Sequence, residues 1–342
     1  MSSTELRNIR IGVLAVFFAM GLAVSATATR LADIKAQLGV GDALFGYALV
    51  TGTLGGLIGN YFAHRVIHRF SSKRVAQFAG VSMMSFVASG GYVNSAWQLA
   101  ISSFGTAYSY STMNVAMNTQ GVDLEFHLKR SVMPSFHASW SVGSLITALA
   151  GTVAGTIASV RSHLTLVAFI SICLMLYASR FISAHDDVDD NHTQDHEPLP
   201  VEARRKISLI ALALSLASIA EVSVFDWSSI YLREFIGIES GLNAVGVSAF
   251  FIFQILGRTI SGGLIDQYGT YKVVRSFALF SSIGYAIFLV VIWCLTTQKN
   301  SVNSGVLLVL SACGFGLVAF GASAMPATFV SAAGQIKGIP TA

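Results

Sequence analysis

The chain has 342 residues, 54% hydrophobic and only 11% charged, with a mean hydropathy of +0.66 and a formal net charge of +4. Soluble domains carry about 25% charged residues, so this composition excludes an ordinary soluble protein and indicates an all-α integral membrane protein. Cys173, Cys294 and Cys313 all fall in apolar stretches and suggest neither a disulfide framework nor a metal site.

A membrane-spanning helix needs about 20 mostly apolar residues. Ten stretches approach this: 11–29, 44–63, 75–94, 97–121, 132–158, 164–182, 207–230, 243–264, 273–297 and 303–325. The first, with basic residues before it and Ala26-Thr27-Ala28 near its end, also has the form of a secretory signal. It corresponds to an internal segment, 209–227, which argues for a retained helix. Its polar end, Ser25, Thr27, Thr29 and Arg30, reads as a helix terminus at the membrane interface, with a solute-facing stripe as the alternative.

Segment 44–63 carries Gly52-x-x-x-Gly56 and Gly55-x-x-x-Gly59, a spacing that admits close helix contact in lipid. Segment 97–121 is polar on one face, where Ser111, Asn114 and Asn118 recur at helical spacing. Intramembrane asparagines need partners, so this face points into a bundle, as a hydrogen-bond ladder or as a ligand contact. In 132–158, His137, Trp140 and Ser141 share a face, and Gly151-x-x-x-Gly155 forms another packing face. Histidine titrates near neutral pH, so His137 is either a coupling residue or a hydrogen-bonded core residue.

Residues 184–206 are the one long hydrophilic stretch. Their histidines and acids fit a solvated linker better than a metal site. Segment 207–230 holds Glu221 and Asp226, carboxylates inside an apolar run. Five residues turn a helix by about 140°, so the two do not share one narrow stripe. Trp227 suits an interfacial anchor.

Lys and Arg set the orientation. With the N-terminus inside, 16 of the 21 basic residues lie on the inner side and 5 on the outer side. This predicts a multi-pass inner (plasma) membrane protein with both termini cytoplasmic and a lipid bilayer as its setting. The positive charge then reflects topology, and no nucleic-acid partner is expected.

A shift of 198 residues places Gly59 on Gly257, His68 on Asp266, Ser71 on Gly269 and Arg74 on Lys272. Both stretches join two apolar segments through a basic turn, which implies an internal duplication of the kind found in secondary transporters. The second copy, Gly262 to Lys272, resembles the loop signature G-x-L-A-D-R-x-G-R-K of the major facilitator superfamily. Gly262, Leu264, Asp266, Gly269 and Lys272 match, and Gln267 stands at the Arg position. The first copy departs further, with His64, His68 and Ser71 at the Gly, Asp and second Gly positions. Met117 to Gly143 resembles the fucose-permease branch and the YbjJ-like bacterial inner-membrane proteins, through Asn118, Gly121, Leu124, Glu125, Arg130, Phe136, His137, Trp140, Ser141 and Gly143. Glu221 to Ser228 is similar to the E-x-x-x-x-D-W-S pattern of the latter.

The resemblance implies a major facilitator fold of two pseudo-symmetric helix bundles: a six-helix bundle in 1–183, a cytoplasmic linker at 184–206, and four helices in 207–342. That gives about ten of the usual twelve helices, with the last two expected to be missing and the Gly face of 44–63 left without its partner. It further implies a monomeric, non-enzymatic secondary transporter of a small solute, proton-coupled and sugar-like, working by alternating access without a cofactor. The alternatives are a truncated, non-transporting membrane protein and a multidrug-type efflux transporter. The implied solute and proton pathway comprises Asn114, Asn118, His137, Trp140, Glu221 and Asp226. The implied gating loops comprise Arg69, Arg74, Glu125, Arg130, Arg258, Gly262, Asp266, Gly269 and Lys272. The proton-carrying carboxylate of fucose permease has Asn114 in its place, and its first-helix carboxylate has no counterpart in 11–29.

Overall fold

The structure, a computed structural model, describes residues 3–128, 132–183, 201–239, 241–297, 303–326 and 328–329. Among these, ten long helices follow in order: α1 (Ser3–Leu38), α2 (Asp42–Phe70), α3 (Ser72–Ser89), α4 (Ala96–Leu128), α5 (Met133–Ile157), α6 (Val160–Ala178), α7 (Val201–Glu234), α8 (Val245–Tyr268), α9 (Thr270–Thr297) and α10 (Ser304–Ser323). Each apolar span marks one helix. Among the described residues, eight helices are long and apolar enough to cross a membrane. In hydrocarbon a helix satisfies its own backbone, which is why apolar runs of this length fold this way.

The main differences from the sequence reading lie at helix ends. Helix α1 does not stop at Thr29 but runs on to Leu38. Ser25, Thr29 and Arg30 are buried along its length, so they do not mark an interfacial end. Residues 201–206 of the expected linker are the first turns of α7.

The chain divides into two compact units, residues 1–188 with 240–244, and residues 189–239 with 245–342. In the first, α1 is the central helix: Val13, Val16, Phe17 and Met20 are buried around it. Its seam with α5 is built on glycines. A Cβ at Gly21 would lie 2.0 Å from the Trp140 carbonyl oxygen, and one at Gly143 2.3 Å from that of Phe18. Ser144 donates to the Gly21 carbonyl at 3.1 Å and Ser139 to that of Leu14 at 2.9 Å. Gly151 meets Thr29 in the same seam.

The α2 glycines are not left without a partner, as the sequence reading expected. They pack on α4, where a Cβ at Gly55 would lie 2.3 Å from the Phe104 carbonyl oxygen and one at Gly59 2.4 Å from that of Tyr108. Small residues let two backbones approach until packing replaces lipid contact, and α4 supplies that surface within the same unit.

The second unit is organised around α10, buried along Ser311, Gly314, Phe315, Val318 and Ala322. A Cβ at Gly257 would lie 2.2 Å from the Ser323 hydroxyl and 3.0 Å from the Phe320 carbonyl oxygen. Gly257 thus packs α8 on α10 as Gly59, its equivalent in the repeat, packs α2 on α4.

The repeat also governs the turns. Ser71 has φ +70° and Gly269 has φ +83°. Each amide donates to the residue four back, Ser71 to Ile67 at 2.9 Å and Gly269 to Ile265 at 2.9 Å. Each carbonyl then accepts from Val75 at 3.0 Å and Val273 at 3.3 Å. Ser71, with ψ 150°, occupies a region natural to glycine, and its side chain makes no cap hydrogen bond. Such a conformation costs about 1–3 kcal/mol. Ser71→Gly is therefore expected to stabilise the chain by about 1 kcal/mol, raising the melting temperature by about 2–4 °C. Gly269→Ala should lower it by a similar amount. A thermal scan in detergent checks both, and an unchanged or lower value for Ser71→Gly would contradict the strain.

Candidate functional site

The second unit holds the clearest buried polar constellation. Gln254 and Arg258 lie one turn apart on α8, so they share a face, and that face meets Glu221 on α7. The Gln254 side-chain amide donates to Glu221 Oε1, and Arg258 Nη2 lies 4.0 Å from the same oxygen. Glu221 is 18% exposed and Arg258 32%. A carboxylate at this depth persists only when a cation and hydrogen bonds offset its desolvation, and this pair of α8 side chains provides both. Sequence reading placed Arg258 with the gating loops, whereas the structure sets it beside Glu221. It missed Gln254, although a lone amide in the apolar run Phe250 to Leu256, one turn before an arginine, was a readable signal.

Asp226 stands five residues further along α7, about 140° around the helix from Glu221, and is half-buried. Its neighbour Phe225 packs on Phe250 and Phe251 of α8. Tyr285 of α9 donates to the Ala220 carbonyl at 2.9 Å, close to Glu221 along α7.

In the first unit, Asn114 and Asn118 are half-buried on α4, and Asn118 Oδ1 is enclosed with no hydrogen-bond partner among the described residues. Ser111, the third member of the stripe, faces α2, since a Cβ at Gly56 would lie 3.3 Å from its hydroxyl. His137 is exposed on α5, and its ring stands edge-on to Phe17 at 5.5 Å. Trp140 is half-buried and packs against the core around α1, as Tyr110 does. Ser141 donates back to the His137 carbonyl at 3.0 Å and is buried in the helix packing, away from any open face.

The loop residues divide by role. Glu125 Oε1 accepts the amides of Val132 at 2.5 Å and Met133 at 2.8 Å, satisfying two donors at the α5 N-terminus where the helix dipole also favours a carboxylate. Glu125 thereby ties the last turns of α4 to the start of α5. Lys73 donates to the Ile182 carbonyl at 2.9 Å and Gln77 to the Ser179 hydroxyl at 2.9 Å, holding α3 to the end of α6. Gln120 joins the same end by donating to Ser72 Oγ at 2.5 Å and to the Ser183 carbonyl at 3.1 Å. Arg69, Arg74, Asp266 and Lys272 are exposed. Gly262 is not a close-approach glycine, since a Cβ there would meet nothing within 4 Å. Arg130 lies outside the described residues. No group of three or more His, Cys, Asp or Glu able to hold a metal occurs among the described residues.

Glu125→Ala should destabilise the first unit by about 1–2 kcal/mol, the usual worth of an N-terminal cap. Glu125→Gln keeps one acceptor and should cost less than half of that. Melting temperatures of the two variants in detergent check the order, and equal losses would contradict a capping role.

The profile of the Major Facilitator Superfamily matches residues 12–339. The chain is 28% identical over 332 residues to the uncharacterised transporter y4wD of Sinorhizobium fredii, covering 95% of this chain and 82% of that one. It is 26% identical over 321 residues to an uncharacterised MFS-type transporter of Yersinia pestis, covering 93% and 79%. Among solved structures, the nucleoside transporter NupG superposes with a TM-score of 0.69 at 14% identity, covering 96% of this chain and 83% of that one.

Proposed function

Because this chain belongs to the Major Facilitator Superfamily and is a membrane transporter of that kind, we propose that it is a proton-coupled secondary transporter of a small, neutral, sugar-like solute. The observation that carries the coupling is Glu221, half-buried on α7 with Gln254 and Arg258 against one of its oxygens. A carboxylate that exchanges a guanidinium partner for a proton carries charge in one state and none in another, which couples solute movement to a pH gradient.

In this reading the solute- and proton-pathway residues are Asn114, Asn118, His137, Trp140, Glu221 and Asp226. Amides and aromatic rings suit hydroxyl-rich neutral ligands. The loops at Arg69, Arg74 and Glu125 and at Asp266, Gly269 and Lys272 serve alternating access, with residues 184–206 joining the halves. The transporter is a monomer in the inner membrane with a cytoplasmic N-terminus, as the 16-to-5 charge split supports.

The test is uptake of a panel of labelled sugars and polyols into proteoliposomes with an imposed pH gradient. Gradient-driven accumulation of at least one solute is expected. Glu221→Gln should abolish accumulation while leaving solute exchange without a gradient. Accumulation by Glu221→Gln equal to that of the unaltered chain would remove the coupling assignment.

A further inference from the structure

From Val50 to its C-terminal end, α2 carries an exposed stripe that changes character along its length. Val50, Leu54, Leu57 and Tyr61 recur every three or four residues and are all exposed large apolar side chains. The same stripe continues into Arg65 and Arg69, also exposed. From Val50 to Tyr61 the helix rises about 16 Å, close to the depth of one leaflet of a hydrocarbon core about 30 Å thick. The stripe is therefore apolar for one leaflet and then turns cationic.

At the boundary the cations are pre-oriented. The Arg65 guanidinium lies 4.7 Å from the Tyr61 ring centre and 5.8 Å from that of Phe62, with Nη2 3.4 Å from the Tyr61 hydroxyl. Arg69 lies 5.6 Å from the Phe70 ring centre. Arg74 is exposed at the start of α3.

Between the ends of this stripe the chain itself brings in no acid. The sequence holds no Asp or Glu between Asp42 and Asp123. On α4, which packs against α2, Asp123 lies 3.6 Å from His127, and Glu125 is committed to the α5 amides. The C-terminal dipole of α2 contributes about half a negative charge, which three guanidinium groups outweigh.

We propose that this end of α2 binds an anionic phospholipid, its phosphate held by Arg65, Arg69 and Arg74 and its acyl chains lying along Tyr61, Leu57 and Leu54. Arginine presents a planar fork that matches phosphate oxygens, and its stacking on Tyr61 limits the side-chain freedom lost on binding. The second copy of the repeat has Asp266 where this one has His68, so the two halves differ in charge at matching positions.

The experiment uses the full chain in mixed micelles of a neutral detergent with phosphatidylglycerol or phosphatidylcholine, counting bound lipid by native mass spectrometry. A preference of about tenfold or more for phosphatidylglycerol is expected, since each of several basic side chains at a surface attracts anionic lipid. The triple variant R65Q/R69Q/R74Q should lose the preference with an unchanged melting temperature in neutral detergent alone. The triple lysine variant should keep part of it, and R204Q/R205Q, in a separate basic run, should keep all of it. Equal preference in R65Q/R69Q/R74Q would overturn the proposal. So would full competition by millimolar inorganic phosphate, which would mark a free-anion site, or a dimer that dissociates with the same substitutions, which would mark a protein interface.

Discussion

Arg30→Leu is expected to destabilise the first unit by about 3–5 kcal/mol, because it strands a buried carboxylate. Arg30 is only 3% exposed and its Nε lies 2.7 Å from Asp33, itself 9% exposed. The same guanidinium donates to the carbonyls of Ala154 and Ala158, both at 3.0 Å, at the end of α5. One cation therefore balances the Asp33 charge and adds a donor at the C-terminal end of α5, where the Ala154 carbonyl also accepts the Ala158 amide at 2.9 Å. Leucine keeps the bulk and removes both interactions. The double variant Arg30→Leu with Asp33→Asn should recover a large part of the loss, because the charge left uncompensated is then gone. Melting temperatures of the single and double variants in detergent decide this. A unit of this size shifts by about 2–4 °C per kcal/mol, so the single variant should fall by at least about 6 °C. A fall of under 2 °C, or no recovery in the double variant, would show that the pair carries little of the stability.

Gly21→Val is expected to open the α1–α5 seam at a cost of about 3 kcal/mol. The new Cβ would sit 2.0 Å from the Trp140 carbonyl oxygen and 2.9 Å from its carbonyl carbon, both backbone atoms that no rotamer change can move. Gly143 meets Phe18 from the other side, so the two helices would have to separate. The hydrogen bonds from Ser144 and Ser139 to α1 carbonyls would stretch with them. Gly262→Ala is the control, since its Cβ enters open space. Alanine in a helix interior is favoured over glycine by up to about 1 kcal/mol, so this variant should be neutral or slightly stabilised. Thermal scans in detergent separate the outcomes, and a similar loss for both variants would refute the packing account.

Much of the fold was legible because its signals are local. Runs of about 20 apolar residues locate membrane helices without reference to any partner. The duplication was equally readable, and the shift of 198 that aligned Ser71 with Gly269 also aligns their turn hydrogen bonds. The loop signature from Gly262 to Lys272 identified the family for the same reason, since its residues lie within one short stretch.

What the sequence determined by itself was the class of molecule: an integral membrane chain of repeated helices belonging to a transporter superfamily. Hydropathy and chain spacing suffice for that, because in a bilayer the backbone must close its hydrogen bonds within each helix. Tertiary structure alone decided which polar groups meet. It placed Gln254 against Glu221, put Arg30 on the end of α5 where hydropathy suggested an interface, and gave the α2 glycines to α4. Gln254 and Glu221 stand 33 residues apart in the chain, and Arg30 and Ala154 stand 124 apart. A buried charge is tolerable only beside its partner, and that partner is chosen by how helices pack in three dimensions, which no local pattern of residues encodes.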